Sequence, residues 1–134
     1  MTDRARFQSV AGAALRIVAG GMFAFHGAQK IFGVLTTPEH QPPAWTQVWF
    51  GGLIELVCGI LVALGLFTRP AALLASGTMA VAYFQFHWKL AMDHGKFLPI
   101  VNGGELAALY CFVFLVFAVS GAGAFSIDRL RGRT

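Results

Sequence analysis

The stretch GGLIELVCGILVALGLFTRP, residues 51–70, is an apolar run of helical length that encloses one carboxylate, Glu55, and stops at Thr68-Arg69-Pro70. An ionisable group within a membrane-spanning segment is costly, so it usually faces a bundle interior or a wet cavity and finds a partner there. Three further long apolar segments flank this one, and each carries polar residues able to supply that partner: His26 and Lys30, then His87, then Asn102 and Glu105.

Composition agrees with a membrane setting. Of 134 residues, 57% are hydrophobic and only 12% charged, against roughly half and a quarter in ordinary soluble domains. A chain of this length holds at most about four spans of roughly 20 residues. The net charge of +4 does not indicate nucleic acid, because the ten Lys and Arg lie mainly at segment ends and form no basic face. Arg4 and Arg6 before an apolar run resemble the start of a signal peptide, but Arg16 interrupts that run and the apolar stretch continues too far, so no cleavage is expected.

The expected fold is an all-α membrane protein, one domain over residues 1–134. Its four transmembrane helices, at about 10–35, 47–67, 70–89 and 102–120, form an antiparallel bundle followed by a basic tail at 125–134. Pro38, Pro42 and Pro43 break the chain after the first helix, and Pro70 suits the first turn of the third. Small residues at Gly20, Ala24 and Ala28 recur every four positions, a spacing that lets helices approach closely in lipid. Four spans place Arg4, Arg6, Arg69, Arg129, Arg131 and Arg133 on one side and Lys30, Lys89 and Lys96 on the other, which predicts cytoplasmic termini. Trp45, Trp49 and Trp88 then fall at the outer interface. Arg16 is expected to snorkel to the headgroups or to pair with Asp128.

With that topology His26, Lys30, Glu55, His87, Asn102 and Glu105 share one polar layer in the outer half of the bundle. Such a set can hold a metal, a proton path or a quinone carbonyl, or it can be purely architectural. Glu55, with Gly52, Cys58 and Gly59, occupies one helical face; His87 shares another with Ser76, Ala80 and Tyr83. Asn102 also reads as an N-cap with Glu105 at the capping-box position. Cys58 and Cys111 lie on helices expected to be diagonal, which argues against a disulfide.

Taken together, Arg16, His26-Gly27 and Lys30; Gly51-Gly52, Glu55, Gly59 and Gly65; Thr68-Arg69-Pro70-Ala71-Ala72; Ala82-Tyr83-Phe84 and His87; Asn102-Gly103-Gly104-Glu105; and Gly121, Gly123, Ser126 and Asp128 resemble the DoxX family of small bacterial four-span membrane proteins. The resemblance implies a bacterial inner-membrane location and a link to quinone-dependent sulfur oxidation or oxidative-stress defence. The leading expectation is a redox-associated subunit that binds a quinone or similar small molecule. Glu55, His87 and Glu105 are its candidate proton-transfer residues, and His26, Lys30, Tyr83 and Asn102 its candidate ligand-binding residues. No flavin, haem or iron–sulfur motif is present in the sequence, so electrons would come from a redox partner protein, and no metal ligand set is assigned. The alternatives are a non-enzymatic membrane anchor or assembly factor for oxidative-stress or thiol/sulfur enzymes, and a small transporter. Self-association is left open.

Overall fold

The computed structural model describes residues 2–132; Arg133, counted above in the basic tail, lies outside them. The described chain is helical, with no strand: α1 Asp3–Phe32, α2 Gln47–Leu64, α3 Thr68–Ala82, a π-helical continuation Tyr83–Trp88, and the short α4 Pro99–Asn102, then α5 Glu105–Ser120 and the single turn α6 Ile127–Leu130. Of these, α1 and α2 are long and apolar enough to cross a membrane, and α5 is a shorter apolar helix.

The boundaries follow from capping. α1 begins at Asp3, earlier than the apolar pattern implies, because the Thr2 hydroxyl accepts the Ala5 amide at 3.3 Å and Asp3 faces the positive helix end. It stops at Gly33, which takes the left-handed conformation at φ 64°. α2 ends the same way at Gly65, where the Leu66 amide reaches back to the Leu61 carbonyl at 2.9 Å. The third predicted segment reaches Trp88 as expected, but its last six residues are wound as a π-helix.

The fourth departs further. Gly103, at φ 71°, separates α4 from α5, so α5 starts at Glu105 with Gly104 as its N-cap and no side-chain cap. The capping box therefore does not form; the Asn102 side-chain carbonyl accepts the Gly104 amide at 2.8 Å instead.

Packing is uneven. α1 lies most extensively against α2, and α3 against α5, while the contact between α2 and α3 is thinner and that between α1 and α5 slight. The α1–α2 seam runs backbone on backbone: a Cβ at Gly20 would stand 2.6 Å from the Ala63 amide nitrogen, and one at Gly59 2.5 Å from that of Ala24. Gly27 meets the Leu56 backbone in the same way. The close-approach face thus includes Gly20, Ala24 and Gly27.

At the end of the bundle that carries both termini, two buried charges knit the helices. Arg16 is fully buried and donates to the Val62, Ala63, Ala124 and Phe125 carbonyls at 2.7–3.2 Å. Val62 and Ala63 lie in the last turn of α2, at the negative pole of that helix, and the Val62 carbonyl takes Arg16 as a second donor beside the Gly65 amide. Arg16 therefore does not snorkel and makes no direct ion pair among the described residues; it is a cation held by carbonyl oxygens, with the Asp128 charge nearby. Asp128 does the converse, its carboxylate oxygens each accepting at 2.9 Å from the Phe67 and Thr68 amides at the start of α3. Its own amide donates to the Gly65 carbonyl at 2.8 Å. Ala124, Ser126 and Asp128 are thus buried against the bundle, while the Phe125 side chain stays exposed.

Candidate functional site

Glu55 stands on the buried face of α2 with Gly52, Cys58 and Gly59, as the helical spacing implies. It is 3% exposed. Gly52 gives the stem of Lys30 room to pass, since a Cβ there would fall 2.6 Å from the Lys30 Cβ. The Lys30 ammonium reaches both carboxylate oxygens, at 2.6 and 2.7 Å. A desolvated carboxylate without such a partner would be expensive, and the two charges neutralise each other within the bundle.

This pair borders a cavity of about 990 Å³ lined by α1, α2, α3 with its π continuation, and α5. His26 and Lys30 enter from α1, Glu55 from α2, His87 from the π segment, and Tyr110 from α5. Most of the remaining wall is apolar, among it Phe23, Ile54, Leu73, Leu74 and Met79. The His26 ring meets the Tyr110 ring edge-on at 6.2 Å, and the rings of Tyr110 and Phe114 stack at 5.5 Å. Of the seven residues singled out in the sequence, His26, Lys30, Glu55 and His87 line this cavity.

The other three do not line it, although the Tyr83 ring stacks on that of His87 at 6.5 Å, as their shared face implies. Tyr83 donates from its hydroxyl to the Phe97 carbonyl at 2.8 Å and accepts from the Asn102 amide at 3.1 Å, and Asn102 also donates to the Lys96 carbonyl at 2.9 Å. Gly104 packs on the Tyr83 ring, with no room for a Cβ. This cluster ties the 89–98 loop to α5. Glu105 is exposed at the α5 N-terminus. The shared face proposed for Ser76 and His87 also divides, because the Ser76 hydroxyl donates to the Cys111 carbonyl at 2.8 Å whereas His87, beyond the change to π winding, lines the cavity.

Tyr110 is the residue that sequence reasoning missed. It is 6% exposed, and its hydroxyl has no partner among the described residues. The available signal was its place one turn and a half into α5 from Glu105, on the face of Ala107 and Phe114. A single hydroxyl in a run of aromatics does not announce itself by pattern. Cys58 and Cys111 are both free thiols. Among the described residues, no three His, Cys, Asp or Glu side chains gather as a metal site would need.

The fold is that of a helical membrane protein with a polar-ended cavity between its helix pairs. Residues 11–88 match the DoxX family model, and the chain belongs to the DoxX family. It is similar to an uncharacterized protein of Haemophilus influenzae, 46% identical over 116 residues that make up 85% of each chain. It is also similar to the inner membrane protein YqjF of Escherichia coli, 29% identical over 115 residues, 83% of this chain and 77% of that one. No solved structure matches.

Proposed function

We propose that this DoxX protein resides in a bacterial inner membrane and acts as a redox-associated subunit, binding a quinone or a similar small molecule in the cavity at Lys30–Glu55. α1, α2, the helical run Thr68–Trp88 and α5 each cross the bilayer, with both termini in the cytoplasm and the polar residues in the outer half. The inner-membrane naming of the Escherichia coli relative supports the location, and the arginine-rich termini support the orientation.

The observation that carries the ligand reading is the cavity itself: about 990 Å³ of mainly apolar wall with a few polar groups drawn from four helices at one end. Small-molecule sites have this form, with apolar enclosure for affinity and a few placed polar groups for orientation. His26 and His87 can each donate to a quinone carbonyl oxygen or accept from a quinol hydroxyl, and the Lys30–Glu55 pair can relay a proton, taking one up as it gives one away. Electrons enter from a partner protein.

A photoreactive benzoquinone added to the protein in lipid nanodiscs tests this. Cross-links in the peptides carrying His26–Lys30 and Gly51–Glu55, competed away by unlabelled benzoquinone, are expected. Labelling spread over the lipid-facing residues and indifferent to competitor would refute the site.

A further inference from the structure

We infer that the cavity is built for a molecule with a long hydrocarbon chain, which enters sideways from the bilayer between α2 and α3, and that Gly77 keeps its chain slot open. The inference rests on the quinone-type reading of the same site and specifies which members of that class fit it.

The shape of the cavity carries the argument. Its wall follows α3 from Pro70, at the terminal end of the bundle, to His87 at the loop end. At about 1.5 Å per helical residue that is roughly 25 Å, close to the thickness of a bilayer's hydrocarbon core. The ionisable residues occupy only one end. Along α3 from Pro70 to Ala82 the wall offers no hydrogen-bonding side chain beyond Thr78, whose hydroxyl is already bonded to the Leu74 carbonyl at 2.8 Å. A head group alone would fill the polar end and leave an apolar limb empty beside lipid.

One glycine gives independent support. Gly20, Gly27 and Gly59 are required because a neighbouring backbone lies against them, yet a Cβ at Gly77 would meet nothing within 4 Å. It lines the cavity on the α3 side of the thinly packed α2–α3 seam. In a helix interior glycine costs up to about 1 kcal/mol relative to alanine. Gly12 and Gly21 are equally open but lie outside this wall, whereas at Gly77 the open space is the slot itself. Leu73 is 60% exposed, so the slot's rim faces the surrounding bilayer and needs no aqueous entrance.

The test compares 2,3-dimethoxy-5-methyl-1,4-benzoquinone with the same quinone bearing a decyl chain, each titrated into the wild type and the Gly77→Phe variant in nanodiscs. Comparing variants within one ligand cancels its partitioning into lipid. Gly77→Phe is expected to weaken the decyl quinone at least ten-fold and the chainless quinone less than two-fold. Equal effects on both ligands, or none on either, would overturn the slot. Failure of both quinones to bind the wild type would instead remove the quinone-type site on which it rests. If Gly77→Phe does not fold, Gly77→Leu serves in its place with the same expected split. Efficient disulfide formation between two Gly77→Cys chains in the membrane would mean that a second copy covers the slot, and would also overturn the inference.

Discussion

Arg16 and Glu55 face the same problem, a charge removed from water, and solve it differently. Glu55 has an opposite charge on its own seam, whereas Arg16 has four carbonyls and the negative end of α2. Hydrogen bonds to a charged group contribute about 1.5–3 kcal/mol each, and truncating a buried charged partner costs several. Arg16→Ala should therefore abolish the folded bundle, and Arg16→Lys should lower its melting temperature sharply in detergent, because one ammonium cannot reach four carbonyls arranged for a fork. Tyr110→Phe should behave oppositely. Its hydroxyl has no partner to lose, so the melting temperature should hold or rise by the equivalent of about 1 kcal/mol.

Asp128 adds a pH signature. Burial alone would raise its pKa, but the Thr68 and Phe67 hydrogen bonds and the nearby Arg131 charge outweigh it and hold the carboxyl below its ordinary value. A depressed carboxylate stabilises the fold above its unfolded-state pKa, near 4, and that contribution is lost as the pH falls through the folded value. Melting temperature followed from pH 7 to pH 3 should fall below about pH 4 in the wild type. Asp128→Asn should be less stable at pH 7 by about 1–3 kcal/mol, with a shallower acid limb.

Among elements, the α1–α2 seam depends on missing side chains. Gly59→Ala puts a methyl 2.5 Å from the Ala24 amide nitrogen and should force the helices apart, at a cost of about 1–3 kcal/mol, read as a fall in melting temperature. Gly77→Ala, with open space at its Cβ, should leave that temperature unchanged or slightly higher. Sequence alone pointed to Gly20, Ala24 and Ala28 through their four-residue spacing and passed over Gly27, whose place on the seam depends on the crossing of the partner helix. The same limit applies at the loop end. Nothing in YFQFHW announces π winding, and the positive φ of Gly103 moved the start of α5 past a plausible capping box.

On the scale of the molecule, the helical class, the α2–α3 turn and the face bearing Glu55 were legible, because each follows from hydropathy, proline position or 3.6-residue spacing. The site was half legible. Residues facing each other across seams, His26, Lys30, Glu55 and His87, could be placed by depth along their helices. Tyr83, Asn102 and Glu105 share that depth yet do not line the cavity, Tyr83 reaching only its edge by stacking on His87, since depth does not specify azimuth once a π segment and a glycine break intervene. The role of the C-terminal segment was hidden for a related reason: a basic, short tail reads as surface, and only the tertiary fold shows Asp128 closing the start of α3.

That the cavity at Lys30–Glu55 holds a quinone-type molecule is most directly tested by native mass spectrometry of the protein released gently from its own membrane. The wild type should carry a quinone-sized adduct that is displaced by added short-chain quinone and absent from a folded Glu55→Gln variant. A bare wild-type chain, or one carrying only phospholipid in both proteins, would contradict it.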